Sequence, residues 1–414
     1  MPTAVTAKWG SMSDTMIGRE GTFGTLATPT SCFPMSGNSL NLDPGLFSPK
    51  VMFGHRESMS FALYGQYKNS GTIAGPLFPT NASLLIPGAI GPDASPGYGV
   101  TGTSGTGSTT LAASSAVNAT TVSLTAETGF SVGQVVQIDT NVPATPTTSE
   151  CRKITAISGS GPYTATLDSA LTYAHASGVA VVGVITPFTH SIQESVTLSS
   201  FTVEKCLGGP ALYGGESLQF TGSRVNKLSI AATTTDAEAT MSADMVAQSY
   251  DILDTPTAVS VINESPFVFA EGTVSLFGQT VAQAQSFSMD VENGLVSSYT
   301  FNGSHNLQFL SPVTLAVSGK VDVVWDSFDD STWGYLTKET SGTNGALSFS
   351  LVHPGSPTAG SATFNCSNVY LKSVQEQPKF EDVITSTLNW TAFLNLATGN
   401  SVSATIVNAQ YTAL

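Results

Sequence analysis

The sequence predicts a mainly β protein: sandwich or barrel modules, two in tandem, with short helices and a small inserted β domain. Three observations point there. Apolar and polar residues alternate in run after run, turn-forming residues are dense (39 Gly and 21 Pro in 414 residues), and only 10% of residues are charged. Period-two alternation describes strands with one buried and one wet face. Soluble domains carry roughly 25% charge, so a chain this poor in it is expected to bury much of its surface in an assembly.

The clearest alternation lies between residues 195 and 247. It runs through Val196, Leu198, Phe201 and Val203, then Phe220, Val225, Leu228 and Ile230, and finally Met241, Met245 and Val246. Ahead of it, residues 1–30 hold few periodic apolar positions. Gly18, Gly21, Gly24 and Pro29 break regular structure there, which predicts an extended N-terminal arm able to reach a neighbouring chain. Residues 36–67 alternate through Leu40 and Leu42, Val51 and Phe53, and Met59, Phe61 and Leu63, with Asp43-Pro-Gly as a turn. Thr80-Asn-Ala-Ser-Leu-Leu predicts a capped short helix stopped by Pro87 and Gly88.

Residues 92–108 have linker composition. Beyond them, Val122 and Leu124, Gly129-Phe-Ser-Val-Gly, Cys151-Arg-Lys-Ile, Tyr163-Thr-Ala-Thr-Leu and Val179-Ala-Val-Val mark a self-contained β unit over 105–183, inserted on an outer surface. The first module is then 30–104 plus 184–250. A proline-marked bridge and a hairpin of Phe267-Val-Phe with Val274-Ser-Leu-Phe open the second, 251–414.

There the pattern begins again. Phe287-Ser-Met-Asp-Val-Glu-Asn-Gly-Leu echoes Ser39-Leu-Asn-Leu-Asp-Pro-Gly-Leu. Val313-Thr-Leu-Ala-Val-Ser-Gly echoes Ser60-Phe-Ala-Leu-Tyr-Gly. Asp330-Ser-Thr-Trp-Gly-Tyr-Leu fills the slot of the short helix. Phe364-Asn-Cys-Ser-Asn-Val-Tyr-Leu-Lys-Ser-Val echoes Phe220-Thr-Gly-Ser-Arg-Val-Asn-Lys-Leu-Ser-Ile. Their shared order supports an internal duplication.

Nothing in the sequence assembles into a reaction centre, and no catalytic, cofactor-binding or metal-binding residue is assigned. Cys32, Cys151, Cys206 and Cys366 lack zinc spacing and read as free buried thiols. His55, His175, His190, His305 and His353 have no metal-ligand neighbours and read as surface or packing residues. In Asp326-Ser-Phe-Asp-Asp, Asp329 or Asp330 is expected to cap a helix rather than bind a cation. Glu376, Glu381 and Asp382 have no second feature to support acid–base work. Gly208-Gly-Pro and Gly214-Gly lack the ending of a phosphate loop. The net charge of −15 argues against a binder that neutralises phosphates. No run of about 18 apolar residues and no signal-type N-terminus is seen, so neither membrane insertion nor secretion is expected.

The phrases Ser200-Phe-Thr-Val-Glu-Lys and Gly222-Ser-Arg-Val-Asn-Lys-Leu-Ser-Ile-Ala, with Glu20-Gly-Thr-Phe-Gly-Thr, Gly65-Gln-Tyr, Pro79-Thr-Asn-Ala-Ser-Leu-Leu, Ser265-Pro-Phe and Val291-Glu-Asn-Gly-Leu around them, resemble the tail tube (major tail) proteins of long-tailed bacteriophages. The resemblance covers most of the chain outside about 104–184. It implies a non-enzymatic virion protein without cofactors, made in the host cytoplasm. Such a protein assembles into stacked rings around a lumen, beside tape measure and tail-end proteins. DNA would cross that lumen without specific binding, and an acidic lumen would suit this. Two modules per chain predict a homotrimeric ring with pseudo-sixfold symmetry, and a single module a homohexamer. The rival classes are a secreted β-rich adhesin or glycan-binding protein and a capsid or decoration protein.

Overall fold

A computed structural model describes residues 13–50, 62–81, 83–92, 100–139, 148–208, 215–257, 262–324, 334–354, 360–378 and 383–412. The chain is overwhelmingly antiparallel sheet, with short helices at Leu85–Ile90 and Tyr335–Ser341.

Two long strands organise it. Glu216–Thr233 pairs through its first half with Phe201–Leu207 and Ser249–Leu253, and through its second half with Thr240–Ala247 and Ala284–Glu292. Ser361–Gln377 pairs through its first half with Gly345–Val352 and Ser403–Asn408, and through its second half with Thr385–Ala392. Each long strand passes from one layer of a sandwich into the other. The residues that alternate inward, Phe220, Leu228 and Ile230 in one and Phe364, Val369 and Leu371 in the other, join a single continuous core.

The surrounding pairings run through one order twice. Asp14–Arg19 pairs with Ser31–Phe33 and Phe201–Leu207, just as Gly272–Leu276 pairs with Gln279–Thr280 and Gly345–Val352. The hairpins Leu46–Phe47 with Leu63–Tyr64 and Leu295–Ser298 with Phe309–Pro312 follow a left-handed glycine each, Gly45 and Gly294. Lys68–Pro76 pairs with Thr240–Ala247, and Ala316–Val324 with Thr385–Ala392. Each of these strands precedes a short helix. The same positions are buried in both: Asn69, Ile73 and Gly75 in one, Val317, Val321 and Val323 in the other.

Several expectations from sequence fail for local reasons. The predicted arm is a sheet strand from Asp14, with Thr15, Met16 and Ile17 buried. Both of its faces are covered, so no alternation betrays it. The linker-like stretch contains the strand Val100–Thr110, whose hydroxyl residues tolerate an exposed pleat. The first helix begins where it was expected to end and runs through Pro87 and Gly88. Proline needs no donor in a first turn, and Gly88 gives room to Phe201, whose ring lies 2.5 Å from where a Cβ would stand. Val196 is exposed, ahead of the strand it seemed to start. Gly272–Leu276 pairs with Gln279–Thr280 rather than with Phe267, whose backbone instead joins Leu77 and Ala239. The strands match Ser70-Gly71 to Ser318-Gly319, not Ser60–Gly65 to Val313–Gly319.

Residues 111–181 contain a separate core around Leu124, Ile138, Ile154, Leu167 and Val181. It is joined to the rest by the paired strands Val100–Thr110 and Ala180–Gln193, the second of which continues into a pairing with Ser403–Asn408. Inside it, buried Glu150 accepts hydrogen bonds from the Thr172 N–H (2.9 Å), meets His175 Nε2 at 2.8 Å and forms an ion pair with Arg152 at 2.5 Å. Burial pushes its carboxyl upward, but the hydrogen bonds from His175, Thr172 and Tyr173 and the charge of Arg152 outweigh it and leave the pKa below the ordinary value. A depressed folded-state pKa contributes stability above the unfolded pKa, and that contribution is lost as pH falls through the folded value. Residues 111–181 are therefore expected to lose protection on acidification below the usual carboxylate range. Hydrogen exchange followed against pH checks this, and Glu150→Gln should flatten the dependence.

Candidate functional site: the polar face of the long sheet

Eight strands pair antiparallel in the order Asn41–Asp43, Lys68–Pro76, Thr240–Ala247, residues 224–233, Ala284–Glu292, Ala316–Val324, Thr385–Ala392 and residues 369–377. One face of this sheet closes the core through Leu228, Met241, Met289, Val321 and Trp390. The pleat turns every second residue to the other face. That face carries Ser70 and Thr72, Ser242 and Asp244, Ser229 and Thr233, Ser286, Ser288 and Asp290, Ser318, Lys320 and Asp322, and Thr387, Asn389 and Thr391. It is hollowed around Ser288, Gly319, Lys372 and Asn389, and again around Thr233, Ser286, Lys320 and Thr385.

Its carboxylates are bound in place by neighbouring strands. Thr72 Oγ1 donates to Asp244 Oδ1 at 2.5 Å, and Ser229 Oγ to Asp290 Oδ1 at 2.5 Å. Ser286 Oγ and Thr387 Oγ1 both donate to Asp322, at 2.5 and 2.7 Å. Lys227 stands 3.3 Å from Asp290 and Lys320 3.7 Å from Asp322. The net charge of −15 is thus not concentrated here. The face is a near-neutral lawn of hydroxyl and amide groups. Such a surface holds water and presents no cationic stripe to phosphate.

The residues singled out from sequence lie elsewhere. His175, His190 and His353 are buried and bonded, to Glu150, to Asn408 and the Gln410 carbonyl, and to Glu271 and the Ser265 carbonyl. His305 is exposed and stacks on Tyr67 at 5.1 Å. All four cysteines are free and buried, and burial raises their thiols to about 11 (Cys32) and about 12 (Cys151, Cys206, Cys366). His55, Asp326, Asp329, Asp330, Glu381, Asp382, Gly209 and Gly214 lie outside the described residues, as does the side chain of Glu376. Among the described residues no three of His, Cys, Asp and Glu gather in a way that could hold a metal ion. No helix among them is long and apolar enough to cross a membrane.

Among the described residues, the two-layer β fold presents a broad, small-polar sheet face whose end strands are each paired on one side only. The family model for phage tail tube proteins matches residues 10–392, and the chain belongs to that family. It is accordingly a structural tail tube subunit and a component of the virion. No curated protein matches the sequence.

Proposed function

We propose that three copies of this chain close into a ring, that rings stack into the tail tube, and that the polar sheet face lines a lumen through which DNA passes without specific binding. In this reading, residues 30–104 with 184–250 form one tube module and residues 251–414 a second. The module over 105–183 is an insertion on the outer wall. Tape measure and tail-end proteins are the further partners.

The observation that carries the reading is the join between the two halves. Residues 227–233 pair with Ser286–Glu292, edge to edge, so that two four-stranded sheets become one of eight. The same two kinds of edge remain at the ends. Asn41–Asp43 pairs only with Lys68–Pro76, and residues 371–377 pair only with Thr385–Ala392, among the described residues. Repeating the internal join between chains consumes both edges, which would otherwise invite uncontrolled association. A head-to-tail contact of this kind yields a ring when its rotation closes. About 165 residues per module is an ordinary domain size.

The test is a cysteine pair. Ser229 faces Asp290 across the internal join; the corresponding positions at the open edges are Gln375 and Asn41. Asn41→Cys with Gln375→Cys should yield covalent trimers on oxidation, and neither single variant should. Native mass spectrometry of one ring should give three chains. Six chains per ring would remove the two-module reading, and chains that never polymerise would remove the ring.

A further inference from the structure

We infer that Lys205 and Glu339 guard the two halves of one interchain strand pair, closing them in the free chain and giving way to a second copy of it. The inference rests on the ring reading above and names the groups that control it.

The internal join supplies the template. Ile230 registers against Met289 there, with Met241 on its other side. Val374 occupies the position of Leu228 in the second long strand, registered against Leu388 as Leu228 is against Ala243, and Glu376 that of Ile230. Leu40 occupies the position of Met289, one residue before Asn41 as Met289 is one before Asp290. Leu228 registers against Val291, whose position Leu42 occupies, so between chains Val374 would face Leu42 and the next outward pair would be residue 376 with Leu40.

In the free chain the outward N–H of Val374, and both the N–H and the carbonyl of Leu40, are already engaged by side chains. The Val374 N–H donates to Glu339 Oε2 at 3.2 Å, from the helix Tyr335–Ser341. On the other edge, the Ser39 N–H donates inward to the Thr72 carbonyl at 2.9 Å, so Leu40 faces outward. The Leu40 N–H donates to Asn38 Oδ1 at 2.9 Å, and its carbonyl accepts from Lys205 Nζ at 3.1 Å. A carboxylate thus occupies a donor of one edge, and an ammonium an acceptor of the other, at successive outward pairs of the proposed interchain ladder. Charged side chains on edge strands are a recognised way to stop unplanned pairing. A long, partly exposed side chain can also swing into water at small cost once a partner strand arrives. Burial lowers the Lys205 pKa, in keeping with an ammonium held against the sheet rather than free in solvent.

The guards stabilise the unassembled chain, so removing one should favour assembly. Glu339→Ala and Lys205→Met are expected to lower the concentration needed for tubes at least threefold, with unchanged circular dichroism of the monomer. Glu339→Gln, which keeps an acceptor, should stay close to the parent. Glu339 lies on a short surface helix, so its variants test the idea even if Lys205→Met misfolds. Each is made in the Asn41→Cys, Gln375→Cys background. Trimers that cross-link while Glu339→Ala assembles no more readily than the parent would overturn the guards and leave the ring intact. Absence of cross-links in every chain would overturn both.

Discussion

Replacing Trp390 with alanine is expected to lower the unfolding free energy by about 3–5 kcal/mol, the usual cost of emptying a large aromatic site. Trp390 is 1% exposed and sits in the strand that links the second long strand to the rest of the long sheet. Its ring lies 6.2 Å from that of Phe287, which stacks on Phe349 at 4.0 Å, which in turn lies 6.5 Å from Phe364. This aromatic column spans both layers of the sandwich, so a cavity at its end cannot be filled by moving one side chain. The indole N–H is buried without an acceptor among the described residues. Trp390→Phe removes that unpaired donor along with some volume, and should therefore cost only about 1–2 kcal/mol. Urea midpoints followed by circular dichroism measure both. Equal losses for the two variants would mean that the ring's volume is not what holds the site.

Gly319→Val is expected to cost about 3 kcal/mol or more, beyond ordinary overpacking. A Cβ at Gly319 would collide with the Ser288 carbonyl oxygen of the neighbouring strand and approach the Trp390 ring to 2.6 Å. Backbone cannot retreat as a side chain can, so the ladder between Ala284–Glu292 and Ala316–Val324 would have to open. Gly71, at the matching place in the first half, would put a Cβ into the backbone of Leu40 and within 2.6 Å of the Ser39 carbonyl carbon. Gly71→Val should be comparably damaging, and it also disturbs the edge proposed to face a second copy. The measurement is the yield of folded monomer and its melting midpoint. A tolerated valine at either position would show that these strands can separate freely.

Most of the strands were legible because a sandwich strand writes its burial into the sequence as alternation. Phe220, Leu228 and Ile230 all point where the pattern said they would. Legibility ended where that code stops. Asp14–Arg19 is covered on both faces and loses its alternation, while Val100–Thr110 is so exposed that hydroxyl residues suffice. Pro87 reads as a stop in any window that cannot know it falls within a helix's first turn. The polar face was visible only as an abundance of Ser and Thr. That its aspartates would be tied to hydroxyls one strand away depends on pairings between residues as distant as Thr72 and Asp244. The two edge contacts, Lys205 on Leu40 and Glu339 on Val374, join elements far apart in the chain and leave no local signature.

The ribbon of Val100–Thr110 and Ala180–Gln193 has a mechanical consequence. A domain on two flexible tethers would tumble and transmit no torque. This one is attached by two strands paired with each other, and Gln193 to Phe188 remain zipped to Ser403–Asn408 beneath it. The junction is packed by Val100, Cys151, Val184 and Phe188 against Tyr411, whose hydroxyl donates to Asp168 at 2.6 Å. A sideways pull on residues 111–181 therefore loads a row of backbone hydrogen bonds together rather than one at a time. The load passes directly to Ser403–Asn408 and, through it, to the second long strand. A force on the appended unit is thus delivered to the paired strands that hold it.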